Sequence, residues 1–211
     1  MNPNQATLVA ALAAQIAPPP VDATADIPGR PAPIAGFEGP LEMLCAGYRH
    51  VEEQCSILRH LVSHVLLHGS DATARDTATG LMRCFDPTTN HLHADEEVDL
   101  FPALIESMAG SDAVCIRDLT EALTAEHREL EARWRRLRGI LERIAVGEAQ
   151  ALESTDVESL AGLHERHIAR EEAELLPMAS RLLSDVDLER IGRAMRERRG
   201  VAAQGCWAIC R

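Results

Sequence analysis

The stretch LHERHIAREEAELLP, residues 163–177, and the earlier LHADEEVDLFP, residues 92–102, share one frame, E-E-x-x-L-[LF]-P. Aligned on it, Glu96-Glu97 matches Glu171-Glu172, and Leu100-Phe101-Pro102 matches Leu175-Leu176-Pro177. In the later copy His167 precedes Glu171 by four residues, which on an α-helix puts an imidazole and a carboxylate on one face, a turn apart. Such a pair can hold a metal ion. In the earlier copy the matching position is Leu92, with His91 and His93 on either side, so the two halves of the implied site are unequal.

Working outward from these segments, helical periodicity runs from Phe37 to about residue 198. A first helix over about 39–68 carries Leu41, Leu44, Tyr48, Val51, Cys55, Leu58, Val62 and Val65 at spacings of three and four, and Gly69 ends it. Asp71 caps a second helix running to about 109, with a kink expected where Asp86-Pro87 can restart it. Ser111-Asp112 opens a third, closed by Gly147, and Ser154 to Asp156 opens a fourth that reaches about 183. A shorter basic helix over about 186–198, with Arg190, Arg193, Arg196, Arg198 and Arg199 at or just past it, is expected across one end of the bundle. Long amphipathic helices on short loops predict an all-α fold, an antiparallel up-down-up-down four-helix bundle with an extra short C-terminal helix. The domain plan is an Ala/Pro-rich extension over 1–36, the bundle over 37–183, and a C-terminal helix with a Cys-containing tail over 184–211. Within the extension, a short helix at about 5–16 precedes a Pro-rich tether.

Composition agrees with this plan. Aromatic residues make up 3% of the 211-residue chain while Ala, Leu, Glu and Arg are plentiful, the balance of a helical bundle. A net charge of −12 argues against nucleic acid or an anionic membrane surface as partner, since both call for a basic patch. No apolar run reaches the roughly 18 to 20 residues that cross a bilayer. The cysteines at 45, 55, 84 and 115 read as reduced core or near-core thiols of a cytoplasmic protein, whereas Cys206 and Cys210 pair up only if the tail is helical.

Histidine and carboxylate are costly to bury, so their presence on apolar stripes is informative. On the fourth helix Leu160, His164, His167, Glu171, Leu175 and Met178 share a face; on the third, His127 sits amid Leu119, Leu123, Leu130, Trp134 and Leu137. On the second, Glu96 is the inward carboxylate among Leu81, Phe85, Leu92, Leu100 and Ala103, and the first offers Tyr48. A single such histidine is more often a satisfied core residue, and a single glutamate a boundary residue reaching solvent. Their joint occurrence, with the repeated frame, points to a metal: imidazoles with carboxylates suit iron, manganese or zinc, and two bridging carboxylates favour a pair of ions. His60, His64 and His68 fall beside the first stripe and read as a solvated edge.

The set HLHADEEVDLFPAL, LTAEHREL and HIAREEAELLP resembles the hemerythrin-like HHE cation-binding family over about residues 37–183. The resemblance implies a four-helix bundle around a non-haem di-iron centre, with terminal histidines, two bridging carboxylates and a bridging oxo or hydroxo group. The family pattern is a His on helix 1, H-x-x-x-E-E on helix 2, E-H on helix 3 and H-x-x-x-E-E on helix 4. It carries over directly to Glu96, His127, His167 and Glu171. The helix-1 histidine falls at Tyr48, because His50 is about 200° round from the stripe position. Tyr48 is then either a phenolate ligand or a core tyrosine with a bonded hydroxyl. The helix-2 histidine falls at Leu92, so His93, paired with Glu96 or Glu97, and His164 are the replacements on offer. The implied function is a cytoplasmic protein that binds or senses a small oxidant, O2, peroxide or nitric oxide, with redox or peroxide chemistry. The alternatives are an iron store, donor or repair protein, and a metal-free bundle acting as an interaction module.

Overall fold

The computed structural model describes residues 39–108 and 112–200, and the expectations for the N-terminal extension and the Cys206/Cys210 tail lie outside them. Every element among the described residues is helical: α1 (Pro40–His68), α2 (Ala72–Ala94), a π-helical turn π1 (Asp95–Leu100), α3 (Phe101–Ser107), α4 (Asp112–Ala145), α5 (Ser154–Arg170), a second π turn π2 (Glu171–Leu175), α6 (Leu176–Leu182) and α7 (Asp185–Arg198). α2, π1 and α3 form one continuous rod, as do α5, π2 and α6.

The ends follow from local chemistry. Asp71 accepts a hydrogen bond from the Ala74 backbone N–H at 2.8 Å and so satisfies a free donor at the start of α2. Gly69 and Gly147 end their helices at φ 65° and 81°, a left-handed backbone that suits glycine. Ser184 opens α7 with a reciprocal capping box to Asp187.

The Asp86-Pro87 restart is not seen: α2 runs through Pro87. The Asp86 carboxylate is used sideways instead, accepting from Trp134 Nε1 at 2.7 Å and Arg138 Nε at 2.9 Å, which ties α2 to α4. Because Asp86 is engaged across the bundle rather than along the chain, it does not cap a new helix.

α1 packs against α2 and α5, and α4 packs against the same two, so four long segments form a ring. The anticipated stripes face inward as one hydrophobic core that includes Leu44, Leu58, Phe85, Leu123, Leu137 and Leu160. Arg59 clasps α1 to α5 through Glu158 and Glu165 at 2.8 and 2.9 Å. The basic helix α7 packs on α1 and π1, where Arg198 and Arg199 meet the fully buried Asp95 and Arg198 also reaches Asp99. Cys45, Cys55 and Cys115 are free thiols, but Cys84, expected to be reduced, is disulfide-bonded. No described helix is long and apolar enough to cross a membrane.

Candidate metal centre

Both copies of the repeated frame are the π turns. In π1 the Glu96 carbonyl accepts from the Phe101 N–H, five residues on, and in π2 the Glu171 carbonyl accepts from Leu176. The proline that closes each frame accounts for the widening. Pro102 and Pro177 have no N–H for the carbonyls of Val98 and Ala173, and a proline ring crowds the carbonyl four residues back. A wider turn relieves that clash. π turns of this kind concentrate at functional sites, and each here has an inward glutamate, Glu96 or Glu171, as its first or second residue.

Glu96, His127, His167 and Glu171 are all buried, and one ligand atom from each lies within 4.8 Å of the others. His127 Nε2 is 3.0 Å from His167 Nε2 and 3.1 Å from Glu96 Oε2, and His167 Nε2 is 3.3 Å from Glu171 Oε1. The other ring nitrogens are committed elsewhere. His127 Nδ1 is 2.7 Å from Glu97 Oε1, and His167 Nδ1 is 2.7 Å from Glu126 Oε2. Arg128 holds Glu97 in turn, and Arg170 Nη1 holds Glu126 at 2.7 Å. An imidazole that donates its Nδ1 proton to a carboxylate presents a lone pair at Nε2. Two imidazole nitrogens and two carboxylates thus converge within hydrogen-bonding distance of one another, an arrangement that a shared proton or a cation satisfies.

The leftover polar atoms agree. Glu96 Oε2 and both Glu171 oxygens are buried without a hydrogen-bond partner in the protein, although ion-pair distances connect two of them to the histidines. Native structures rarely leave such atoms unsatisfied. Burial raises both carboxyl groups to about 7, helped for Glu96 by the Glu171 charge. Burial opposes the charging of His127, but the carboxylates of Glu96, Glu97 and Glu171 outweigh it and raise its pKa, whereas burial lowers that of His167. A proton or a metal ion is therefore favoured at this spot, and the donor set fits a hard or borderline cation.

The remaining candidates surround the four. The Tyr48 hydroxyl donates to Glu96 Oε1 at 3.0 Å, and burial with the neighbouring glutamates pushes its pKa well above the ordinary phenol value. His93 stacks on His127, centroids 4.0 Å apart and planes 11° apart, with its Nδ1 3.2 Å from Glu131. Glu97 reaches the back of His127 rather than the donor cluster. His164 is buried edge-on to Phe85, and its Nε2 has no partner. Leu92 packs into α1 where Gly47 leaves room: a Cβ on residue 47 would lie 2.5 Å from Leu92 Cδ2. The position that lacks histidine is thus filled by a leucine locked to a glycine. On the outer edge, His64 Nε2 lies 2.9 Å from the capping Asp71, and His60 and His68 are exposed.

Glu126 and the two π turns are what the sequence reading missed. The Glu126-His127 dipeptide held the signal, since adjacent residues on a helix point about 100° apart and only one can face the cluster.

The sequence has counterparts in known proteins. A family model described as hemerythrin HHE cation binding domain matches residues 48–179. A relative from Haemophilus influenzae, described as an uncharacterized protein, is 29% identical over 171 residues, which span 81% of this chain and 96% of its own length.

Proposed function

The chain belongs to the hemerythrin HHE cation-binding family, and from that premise we propose that it is a non-haem iron protein that binds or senses a small oxidant such as O2, peroxide or nitric oxide. The observation that carries the reading is the pair of Nε2 atoms 3.0 Å apart, each backed by a carboxylate on Nδ1, beside two buried glutamates. His127 and His167 would hold the first ion together with Glu96 and Glu171. Each glutamate directs one oxygen to this set. The second oxygen of Glu171 has no protein partner, and that of Glu96 accepts from Tyr48. A second ion would be held by Glu96 and Glu171 beside His164, in the small void that these residues border with Tyr48, which would give an asymmetric di-iron centre in a cytoplasmic up-down-up-down bundle.

Iron held there supplies a redox-active Lewis acid with room for a small ligand. The protein's part is to aim Nε2 of both imidazoles at the ion, to fix their orientation through Glu97 and Glu126, and to exclude bulk water. Tyr48 serves as a hydrogen-bond donor to Glu96, and this role is favoured over a phenolate ligand by its 3.0 Å bond and raised pKa. The test is anaerobic loading with ferrous iron, followed by exposure to O2, hydrogen peroxide or nitric oxide while the visible spectrum is recorded. Iron-dependent bands that change with an oxidant and lack a phenolate component are expected. Iron uptake without any spectral response would leave a store or donor as the better reading.

A further inference from the structure

Beside the donor cluster lies a second, larger cavity of about 210 Å³ between α2, α4 and α5. Its mouth includes the exposed Asn90 and Arg135, and its apolar side is the stacked pair Phe85 and Trp134, whose centroids are 4.1 Å apart. Thr89, His93 and His164 line both this cavity and the small void of about 10 Å³ that touches Glu96, His167 and Glu171. A wall one side chain thick therefore separates a solvent-facing chamber from the metal donors. In that wall His164 is 4% exposed and its Nε2 has no partner. Buried polar atoms are ordinarily satisfied, so an orphan nitrogen between a chamber and a metal site marks a place for a ligand atom.

We propose that this chamber is the route by which small ligands reach the centre, and that His164 Nε2 hydrogen-bonds the ligand as it sits beside the metal. The inference rests on the iron-binding reading above and adds the path and the recognising group. The chamber is larger than a diatomic needs, and its aromatic wall of Phe85 and Trp134 faces several polar side chains, among which His164 is the one with a buried, unpartnered nitrogen. That combination suits a compact molecule with one polar end and a short apolar portion, of which a small alkyl hydroperoxide is the simplest oxidising example. Small anions such as azide fit the same path.

The experiment uses the full-length iron-loaded protein and azide as the probe, with binding followed by stopped-flow absorbance. Asn90→Trp and, as a second plug at the mouth, Arg135→Trp should lower the azide association rate at least tenfold, with iron content and helical circular dichroism unchanged. Ser56→Trp, on exposed α1 surface away from the chamber, should leave the rate as it is. His164→Leu should keep the path open but raise the azide dissociation constant about tenfold. Unchanged association in both plugged proteins, or unchanged azide affinity in His164→Leu, overturns the inference while leaving the iron reading intact. A wild-type protein that takes up no iron overturns that reading, and the route with it.

Discussion

At the residue scale, metal binding depends on which ring nitrogen faces the cluster. Glu97 and Glu126 set that choice for His127 and His167. Loss of a carboxylate behind a metal-bound imidazole typically weakens metal binding by roughly 10- to 100-fold. Glu126→Gln should therefore weaken iron affinity to that extent, measured by competition with a chelator, while His167→Ala should abolish binding. The pH dependence has a defined sign. In the metal-free fold Glu96 and Glu171 keep their protons up to about 7, well above ordinary carboxylates. An ion must displace those protons, so affinity should rise as pH climbs from about 6 to about 8 and fall on acidification, with proton release visible by calorimetry in buffers of different ionisation enthalpy. Flat affinity across this range would contradict the protonated resting state. Much of this was legible in sequence, because His127, His167, Glu96 and Glu171 are polar residues on apolar stripes. The direction of the Tyr48 hydroxyl was not, since a stripe position says that a side chain is buried and nothing about which acceptor it meets.

At the element scale, the π turns connect sequence to site. Their signal was present in the frame, because Pro102 and Pro177 follow the first glutamate of each copy by six residues. Helical periodicity alone does not show that a proline here widens the turn instead of ending the helix. Asp86-Pro87 gave the opposite lesson. The same residue pair that caps helices elsewhere lies within one here, because Trp134 and Arg138 claim its carboxylate. π1 is further braced by α7 through the buried Asp95. Removing the partners of a buried charge costs about 3 kcal/mol or more. The double variant Arg198→Ala/Arg199→Ala should therefore lower the urea midpoint by an amount equivalent to about 3 kcal/mol. It should also weaken iron binding, since Glu96 sits in the same turn. Asp95→Asn in that background should recover part of the stability by removing the unpaired charge. Gly47→Ala should push on Leu92 and cost about 1 to 3 kcal/mol, the usual range for overpacking.

At the scale of the whole molecule, a ring of four long segments brings buried donors from π1, α4, α5 and π2 to one point. A cation held by these four groups would bind the folded chain and not the unfolded one, which would couple metal binding to folding. A ligand bound only to the folded state stabilises it by mass action, about 2.7 kcal/mol at a free concentration one hundred times its dissociation constant. Chelation should therefore lower the thermal midpoint, and ferrous iron should restore it. The broad fold was readable from period and loop length, while the inequality of the two half-sites showed only as Leu92 where a histidine was expected. The most direct test of the central claim is the iron content of the protein after anaerobic loading and desalting, wild type beside His127→Ala/His167→Ala, measured by inductively coupled plasma mass spectrometry. The account predicts at least one tightly held iron per wild-type chain and none in the helical double variant. Equal iron in both, or none in the wild type, would contradict it.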